Sequence, residues 1–231
     1  MRVLLKISGE ALAGGEPSGL DYVMLDDVCE KIKTLMKKNI EVGVVVGAGN
    51  FIRGSEIEKI NIDRCNADNM GMLAININAI ALGDVLERKG IHVKIMNSFH
   101  MDGVADRFNK TKAVKDMKAN KVVIFSGGTG NPYFTTDTAG VLRALEIEAD
   151  LMIKATKVNG VYDKDPIKFN DAVFIPEATY DEVITKNIRV MDHTAIALAK
   201  ENSLKLKVVS LYESDAILRA ILGKNEGTLI S

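Results

Sequence analysis

The chain has 231 residues, of which 47% are hydrophobic and 26% charged, and its formal net charge is -1. That balance excludes a global field drawing the protein to nucleic acid or to an anionic membrane, so any anion site must be local. Cys29 and Cys65 make neither a CxxC pair nor a zinc spacing and read as reduced, structural thiols. MRVLLKISGEAL turns polar too early for a signal peptide. No run approaches the roughly 18 apolar residues of a membrane span, so a cytoplasmic location is the expectation.

Short β-branched runs alternate with helical stretches along the chain. RVLLKI (2–7) reads as a first strand. DYVMLDDVCEKIKTLMKK then puts Leu25, Val28, Ile32, Leu35 and Met36 on one helical face. EVGVVV (41–46) is a second strand, apolar enough to be buried on both sides. A long helix spans about 67–88, and HVKIM (92–96) is a third strand. TKAVKDMKAN is a short helix, and KVVIF (121–125) a fourth strand. TDTAGVLRALEIE is helical with Thr136 as its predicted N-cap, and DLMIKA (150–155) is a fifth strand. Beyond Pro166, DEVITKN, DHTAIALAKEN and SDAILRAIL read as helices and LKVVSL as a strand. The alternation predicts a parallel α/β sheet with right-handed crossovers. The break near 160–176 reads as a lobe boundary within one sheet.

Ligands of open α/β sheets bind beyond the carboxyl ends of the strands. Four loops lie there: KISGEAL, VGAGNFIRG, SGGTGNPYFTT and KATKVNGVYDKDP. Three are Gly-rich, and glycine lets successive N–H groups face an anion. Together they favour a phosphate-rich ligand. No G-x-x-x-x-G-K-[ST] occurs, and the two G-x-G stretches lack the third glycine of the dinucleotide fingerprint. His92, His100 and His193 are scattered, so neither a metal cluster nor a Ser/His/Asp triad is supported. What remains suits phosphoryl transfer, which needs positioning, positive charge and N–H donors more than covalent chemistry. Lys6 ends the first strand as a fixed charge, and Arg53 closes the second loop with a phosphate-compatible guanidinium.

KISGEAL, GAGNFIRG, DNMGMLA, GTGNPYFTTDTA and KATKVNGVYDKDP, in that order, resemble the bacterial UMP kinases (uridylate kinases) of the amino acid kinase superfamily. The likeness runs to the C-terminal EGTLIS, and its most specific part is the GTGN-P-aromatic-F-TTD segment. The resemblance implies an α/β three-layer sandwich with a central, mostly parallel sheet. It implies one domain over 1–231, with an acceptor site in an N-lobe (about 1–155) and a donor site in a C-lobe (about 156–231). The implied reaction is transfer of the ATP γ-phosphoryl group to UMP, with Mg²⁺, in pyrimidine nucleotide biosynthesis.

Residue roles follow from the same resemblance. Lys6, Ile7, Ser8 and Gly9 would touch the ATP phosphates, together with Gly49 and Arg53. Ala48 stands where the family usually has Gly and would meet UMP. Asp68 would bind the UMP ribose. Thr129, Gly130, Asn131, Pro132, Tyr133, Phe134, Thr135 and Thr136 would hold uracil and phosphate. Asp137 would orient the lysines or the metal, and Lys154 would be a second charge at the transferred group. Thr156, Tyr162 and Asp165 would meet adenosine, and Asn159 stands where many relatives have Asp. Gly14, Gly15, Glu16, Pro17, Ser18 and Gly19 lie where the family has a loop tied to GTP activation. UTP inhibition and a homohexamer are also implied, and no protein metal ligands. Two alternatives stay open: a carbamate, acetylglutamate or aspartate kinase on the same fold, and a nucleotide-sensing module that binds without transfer.

Overall fold

In this computed structural model, residues 1–52, 61–188 and 190–231 are described. Arg53 lies outside the described residues.

The apolar runs make the middle of the sheet. β1 (Arg2–Ile7) and β2 (Glu41–Val46) are buried from their second residue onward. Parallel strands covered on both faces need that continuous apolarity. The other strands are β3 (Val93–Asn97), β4 (Asp106–Arg107), β5 (Val122–Ser126), β6 (Leu151–Thr156), β9 (Glu177–Ala178), β10 (Leu206–Ser210) and β11 (Thr228–Ile230). They form a nine-stranded sheet of order β4-β3-β5-β2-β1-β6-β10-β11-β9. Among the described residues of this sheet, only the β10–β11 pair is antiparallel. β7 (Val161–Tyr162) and β8 (Phe174–Ile175) form a separate antiparallel ribbon.

Alternate residues of each strand feed two cores, which makes three layers. Val3, Leu5 and Ile7 of β1 face α2 (Tyr22–Lys37), α3 (Arg64–Arg88) and α8 (Ala216–Ile221) through Leu25, Val28, Ile32, Ile75, Leu82 and Ile217. Leu4, Val45, Val123 and Met152 face the opposite layer. That layer is α4 (Lys110–Lys118), α5 (Thr136–Glu146), α6 (Tyr180–Thr185) and α7 (His193–Glu201), through Met117, Val141, Val183 and Ile196. The predicted face of α2 is the one that is buried.

Several boundaries differ from expectation. KISGEAL is not all loop: α1 (Gly9–Leu12) starts straight after Ser8, whose Oγ accepts from the Ala11 N–H at 3.2 Å. α3 begins three residues before the predicted Ala67, because Asp63 Oδ1 accepts from the Cys65 and Asn66 N–H groups at 3.0 and 3.2 Å. The N-cap of α5 is Thr135, not Thr136. β3, β5 and β6 each start one residue late. The tail EGTLIS adds β11, which no local pattern had announced. Against expectation, α3 is long and apolar enough to cross a membrane, but half of its apolar window is buried against the sheet. That is how a core helix looks.

Candidate active site

β1 and β2 run on to helices of one layer, whereas neighbouring β5 runs on to α5 in the other. A crevice opens at such a switch point, outside the strands' carboxyl ends. The crevice is a cavity of about 510 Å³. Ala48 and Gly49 line it from the β2 loop, Arg64, Asp68 and Met72 from α3, and Phe134, Thr135 and Thr136 from the β5–α5 loop. Gly49, expected on the ATP side, shares this cavity with Asp68, Thr135 and Thr136, expected on the UMP side. Ala48 is absent from the residues with positive φ, so its Cβ costs no backbone strain. Cys65 Sγ donates to the Tyr133 hydroxyl at 3.7 Å. Cys29, the other free thiol, is buried, and that burial pushes it up to about 12.

Asp68 is engaged twice within this region. Its Oδ2 accepts from the Tyr133 N–H at 2.7 Å and from Arg64 Nε at 2.8 Å. Tyr133 takes a left-handed φ of 71°, and the Arg64 guanidinium lies 5.5 Å from its ring centroid. Arg64 was missed from the sequence, although its i,i+4 spacing to Asp68 on a helix was readable. Thr129, Gly130, Asn131 and Pro132 do not line the cavity. The Thr129 hydroxyl closes a turn with the Asn131 N–H at 3.1 Å. Gly127 and Gly128 supply left-handed φ values of 72° and 59°, which set the turn.

A second cavity, of about 630 Å³, lies beyond β6. Lys154, Thr156, Tyr162, Asp165 and Lys168 line it. All the adenosine-side residues inferred from sequence therefore share one cavity. The Tyr162 hydroxyl donates to Asn159 Oδ1 at 2.6 Å, and its ring meets Phe174 edge-on at 5.5 Å. Asp165 Oδ1 accepts from the Ile167 N–H at 2.9 Å. Lys168, also missed, adds a cation 3.8 Å from Asp165. A larger cavity, of about 790 Å³, lies at the amino ends of β6 and β10, around Asp150 and Lys205. Its Lys207 is spent on the Ala220 and Lys224 carbonyls at 3.3 and 3.0 Å, so size does not select the site.

Three charges stand beside these cavities: Lys154 lines the second, Asp137 lines a further one of about 530 Å³ that shares Val190 with it, and Lys6 pairs with Asp137. Lys6 on β1 and Lys154 on β6 are register partners across adjacent strands. Two ammonium groups that close repel each other, and Asp137, in the first turn of α5, resolves it. Lys6 Nζ lies 2.6 Å from Asp137 Oδ1, and Lys154 Nζ lies 2.7 Å from Oδ2. Oδ1 is buried without an aligned hydrogen-bond donor, so the Lys6 contact is an ion pair rather than a well-formed hydrogen bond. Burial pushes the Asp137 carboxyl up, but Lys6 and Lys154 outweigh it and hold the carboxyl below its ordinary range. Burial lowers the Lys154 ammonium, and Asp137 only partly restores it. Lys154 Nζ also donates to the Val190 carbonyl at 2.6 Å.

The β1 and β2 loops are fitted closely to one another. A Cβ on Gly9 would stand 2.6 Å from Asn50 Oδ1, 2.7 Å from the Gly47 carbonyl and 2.7 Å from the Gly49 nitrogen. Gly9 is therefore required for close approach, not for unusual φ. Ile7 contributes a core side chain, and its carbonyl accepts from the Gly47 N–H at 2.9 Å. Asn78 from α3 donates to the Gly47 carbonyl at 2.7 Å and pairs with Asn50 at 2.8 and 2.9 Å. Asn50 in turn donates to the Gly19 carbonyl at 2.8 Å, which ties the 14–19 loop to the β2 loop. Among the described residues, no group of three His, Cys, Asp or Glu side chains is placed to hold a metal.

The chain is 46% identical over 230 residues to a uridylate kinase of Haemophilus ducreyi, covering 100% of this chain and 97% of that protein. It is 50% identical over 223 residues to a uridylate kinase of Campylobacter jejuni subsp. doylei, covering 96% and 93%. The crystal structure of UMP kinase from Bacillus anthracis superposes with a TM-score of 0.96 at 36% identity, covering 100% of this chain and 95% of the other. The model of the amino acid kinase family matches residues 1–210, and the chain belongs to that family.

Proposed function

We propose that the chain transfers the γ-phosphoryl group of ATP to UMP, giving UDP and ADP, as a step of pyrimidine nucleotide biosynthesis. The observation that carries this reading is the Lys6–Asp137–Lys154 cluster: Lys154 lines one nucleotide-sized cavity, and Asp137 directly follows Thr135 and Thr136, which line the other. The printed names of the relatives favour UMP as the acceptor. The N-lobe (about 1–155) holds the acceptor and the C-lobe (about 156–231) the donor.

The chemistry needs little proton traffic. The second pKa of a phosphate monoester is about 6, so UMP arrives largely as a dianion and needs no base. A UMP phosphate oxygen attacks Pγ, the bond from Pγ to the β–γ bridging oxygen breaks, and the electron pair leaves on ADP. Charge gathers on the moving group and on the leaving oxygen. Two ammonium groups and one carboxylate leave one net positive charge there. Lys6 and Lys154 stabilise the developing charge, preorganised in a water-poor site. Asp137, held ionised, is a weak base and serves to aim both lysines. The N–H groups of Ser8, the N-cap of α1, and of Gly9, its first residue, face the ATP phosphates. Thr156, Tyr162 and Asp165 hold adenosine. Phe134, Thr135 and Thr136 hold UMP, with Asp68 on the ribose. Mg²⁺ enters on the ATP phosphates as part of that substrate, since magnesium keeps few protein ligands.

Regulation and assembly complete the reading. The 14–19 loop, tied to the β2 loop through Asn50, is the candidate element for GTP activation, and UTP would inhibit. Met70, Leu73, Ile77 and Ile80 make an exposed apolar stripe on α3, which suits self-association towards a homohexamer. The protein is cytoplasmic in this reading. A coupled assay across UMP, CMP, AMP and GMP tests the acceptor. ATP turnover that requires UMP supports the proposal. Equal turnover with aspartate or acetylglutamate overturns it, and so does tight nucleotide binding without UDP formation.

A further inference from the structure

We infer that Asp192 is a positioning residue for phosphoryl transfer: it holds the threonines that start α5, so that Asp137 meets both lysines. The inference rests on the transfer-site reading above and adds a residue that neither motif nor resemblance supplied.

Thr135 Oγ1 accepts from the Asp137 N–H at 3.0 Å and from the Thr138 N–H at 3.3 Å. Those bonds fill both lone pairs, so the single O–H needs an acceptor elsewhere. It finds Asp192 Oδ2 at 2.5 Å. Thr138 Oγ1, nearly inaccessible to solvent, donates to the same carboxylate at 2.9 and 3.0 Å. The Ala195 N–H donates to Asp192 Oδ1 at 3.0 Å, which makes Asp192 the N-cap of α7 as well. An ionised carboxylate is acceptor-only and suits a site where every neighbour donates. An amide there would turn an N–H₂ towards one of the hydroxyls.

The position of Asp192 gives these bonds a catalytic meaning. Two residues earlier, the Val190 carbonyl accepts from Lys154 Nζ at 2.6 Å. One short stretch therefore fixes Lys154 on one side and the cap of the Asp137 helix on the other. Thr135 lines the acceptor cavity and Val190 the donor cavity. The stretch thus sets the register of acceptor to donor. A misplacement of about 1 Å in such a site costs about a hundredfold in rate. Around Lys154 the charged groups are Lys6 from β1, Asp137 from α5 and Asp192 ahead of α7.

The test compares Asp192→Asn, Thr138→Val and Thr138→Ser in the full chain, with steady-state kinetics and thermal melts. Asp192→Asn and Thr138→Val should each lower kcat by about ten- to a hundredfold. KM for ATP should stay within about threefold, because the adenosine contacts are untouched. Thr138→Ser keeps the hydroxyl and should restore kcat to within about threefold of the parent. A melting temperature that falls while kcat of both Asp192→Asn and Thr138→Val stays within about threefold overturns the inference, leaving Asp192 a helix cap only. Should Asp192→Asn fail to fold, the Val/Ser pair decides alone. Lys6→Met separates this inference from the reading beneath it. A fully active Lys6→Met removes the transfer site itself, whereas a slow Lys6→Met beside a fast Asp192→Asn removes only the role of Asp192.

Discussion

Replacing Lys6 with methionine deletes one charge and keeps most of the side-chain volume. The stem runs past Gly140, where an added Cβ would lie 3.5 Å from Lys6 Cγ, and methionine fills the same path. The ammonium is nearly sealed from solvent, with its side chain 7% exposed, so water would screen little of the loss. Removing one preorganised donor from a water-excluded site costs about 10²–10³ in kcat. At about 1.36 kcal/mol per decade, that is roughly 2.7–4 kcal/mol of transition-state stabilisation. Folding should suffer less, because Asp137 keeps its 2.7 Å pair with Lys154 and the net charge of the cluster falls from one to zero. UMP affinity should hardly change, since Lys6 does not line the acceptor cavity. A coupled UDP-formation assay at saturating ATP, with a melt of the same sample, checks all three. A kcat within about threefold of the parent would refute the reasoning, and so would a loss confined to KM for UMP.

Asp68→Asn should raise KM for UMP about tenfold with kcat nearly constant, since it weakens ground-state binding and the tether to the Tyr133 N–H; an unchanged KM returns Asp68 to a helix-start carboxylate. The pH profile should show an alkaline limb below the ordinary lysine value of about 10.4. Lys154 works only when protonated, and burial lowers its ammonium despite Asp137, so kcat/KM falls as pH rises through that lowered value. Asp137→Asn removes the group that raises Lys154 and should move the limb further towards acid; a flat profile up to about 10.4 rules this out. Gly9→Ala should cost about 1–3 kcal/mol of stability by overpacking and raise KM for ATP, because its Cβ would meet the β2 loop at 2.6–2.7 Å. An unshifted melting curve with a normal KM for ATP counts against that packing argument.

What the sequence disclosed and what it hid divide along one physical line. Strands with continuous apolar runs were legible, because burial on both faces leaves no choice of residue. α2 was legible through its periodicity, whereas the start of α3 and the cap of α5 were misplaced. Lys6 stood out at the end of an apolar strand, since a charge there must have a partner or a purpose, whereas Lys154 was named only through the resemblance. The edges of the sheet were not legible. β4 and β9 are two residues each, and they exist because a neighbour offers unpaired backbone groups rather than through local propensity. Thr136 was chosen as the cap over Thr135 because adjacent threonines are equivalent in sequence. Only the direction of one hydroxyl separates them.

The site obeyed the same division. Lys6, Asp137 and Lys154 were grouped only through the resemblance, because their meeting depends on the register of β1 with β6 and on α5 packing over it. Asp192 lay further out of reach. It is 57 residues from Thr135 and 54 from Thr138, in a segment that reads only as the start of a helix. As the first residue of a helical run it gave no signal of a second role. The structure supplies that signal by donor counting: a threonine whose lone pairs are both filled must give its proton to something. Here the acceptor is a carboxylate two residues from the carbonyl that holds Lys154. The cap of one helix is thereby the clamp on another, and the three transfer charges keep their spacing only while both hold.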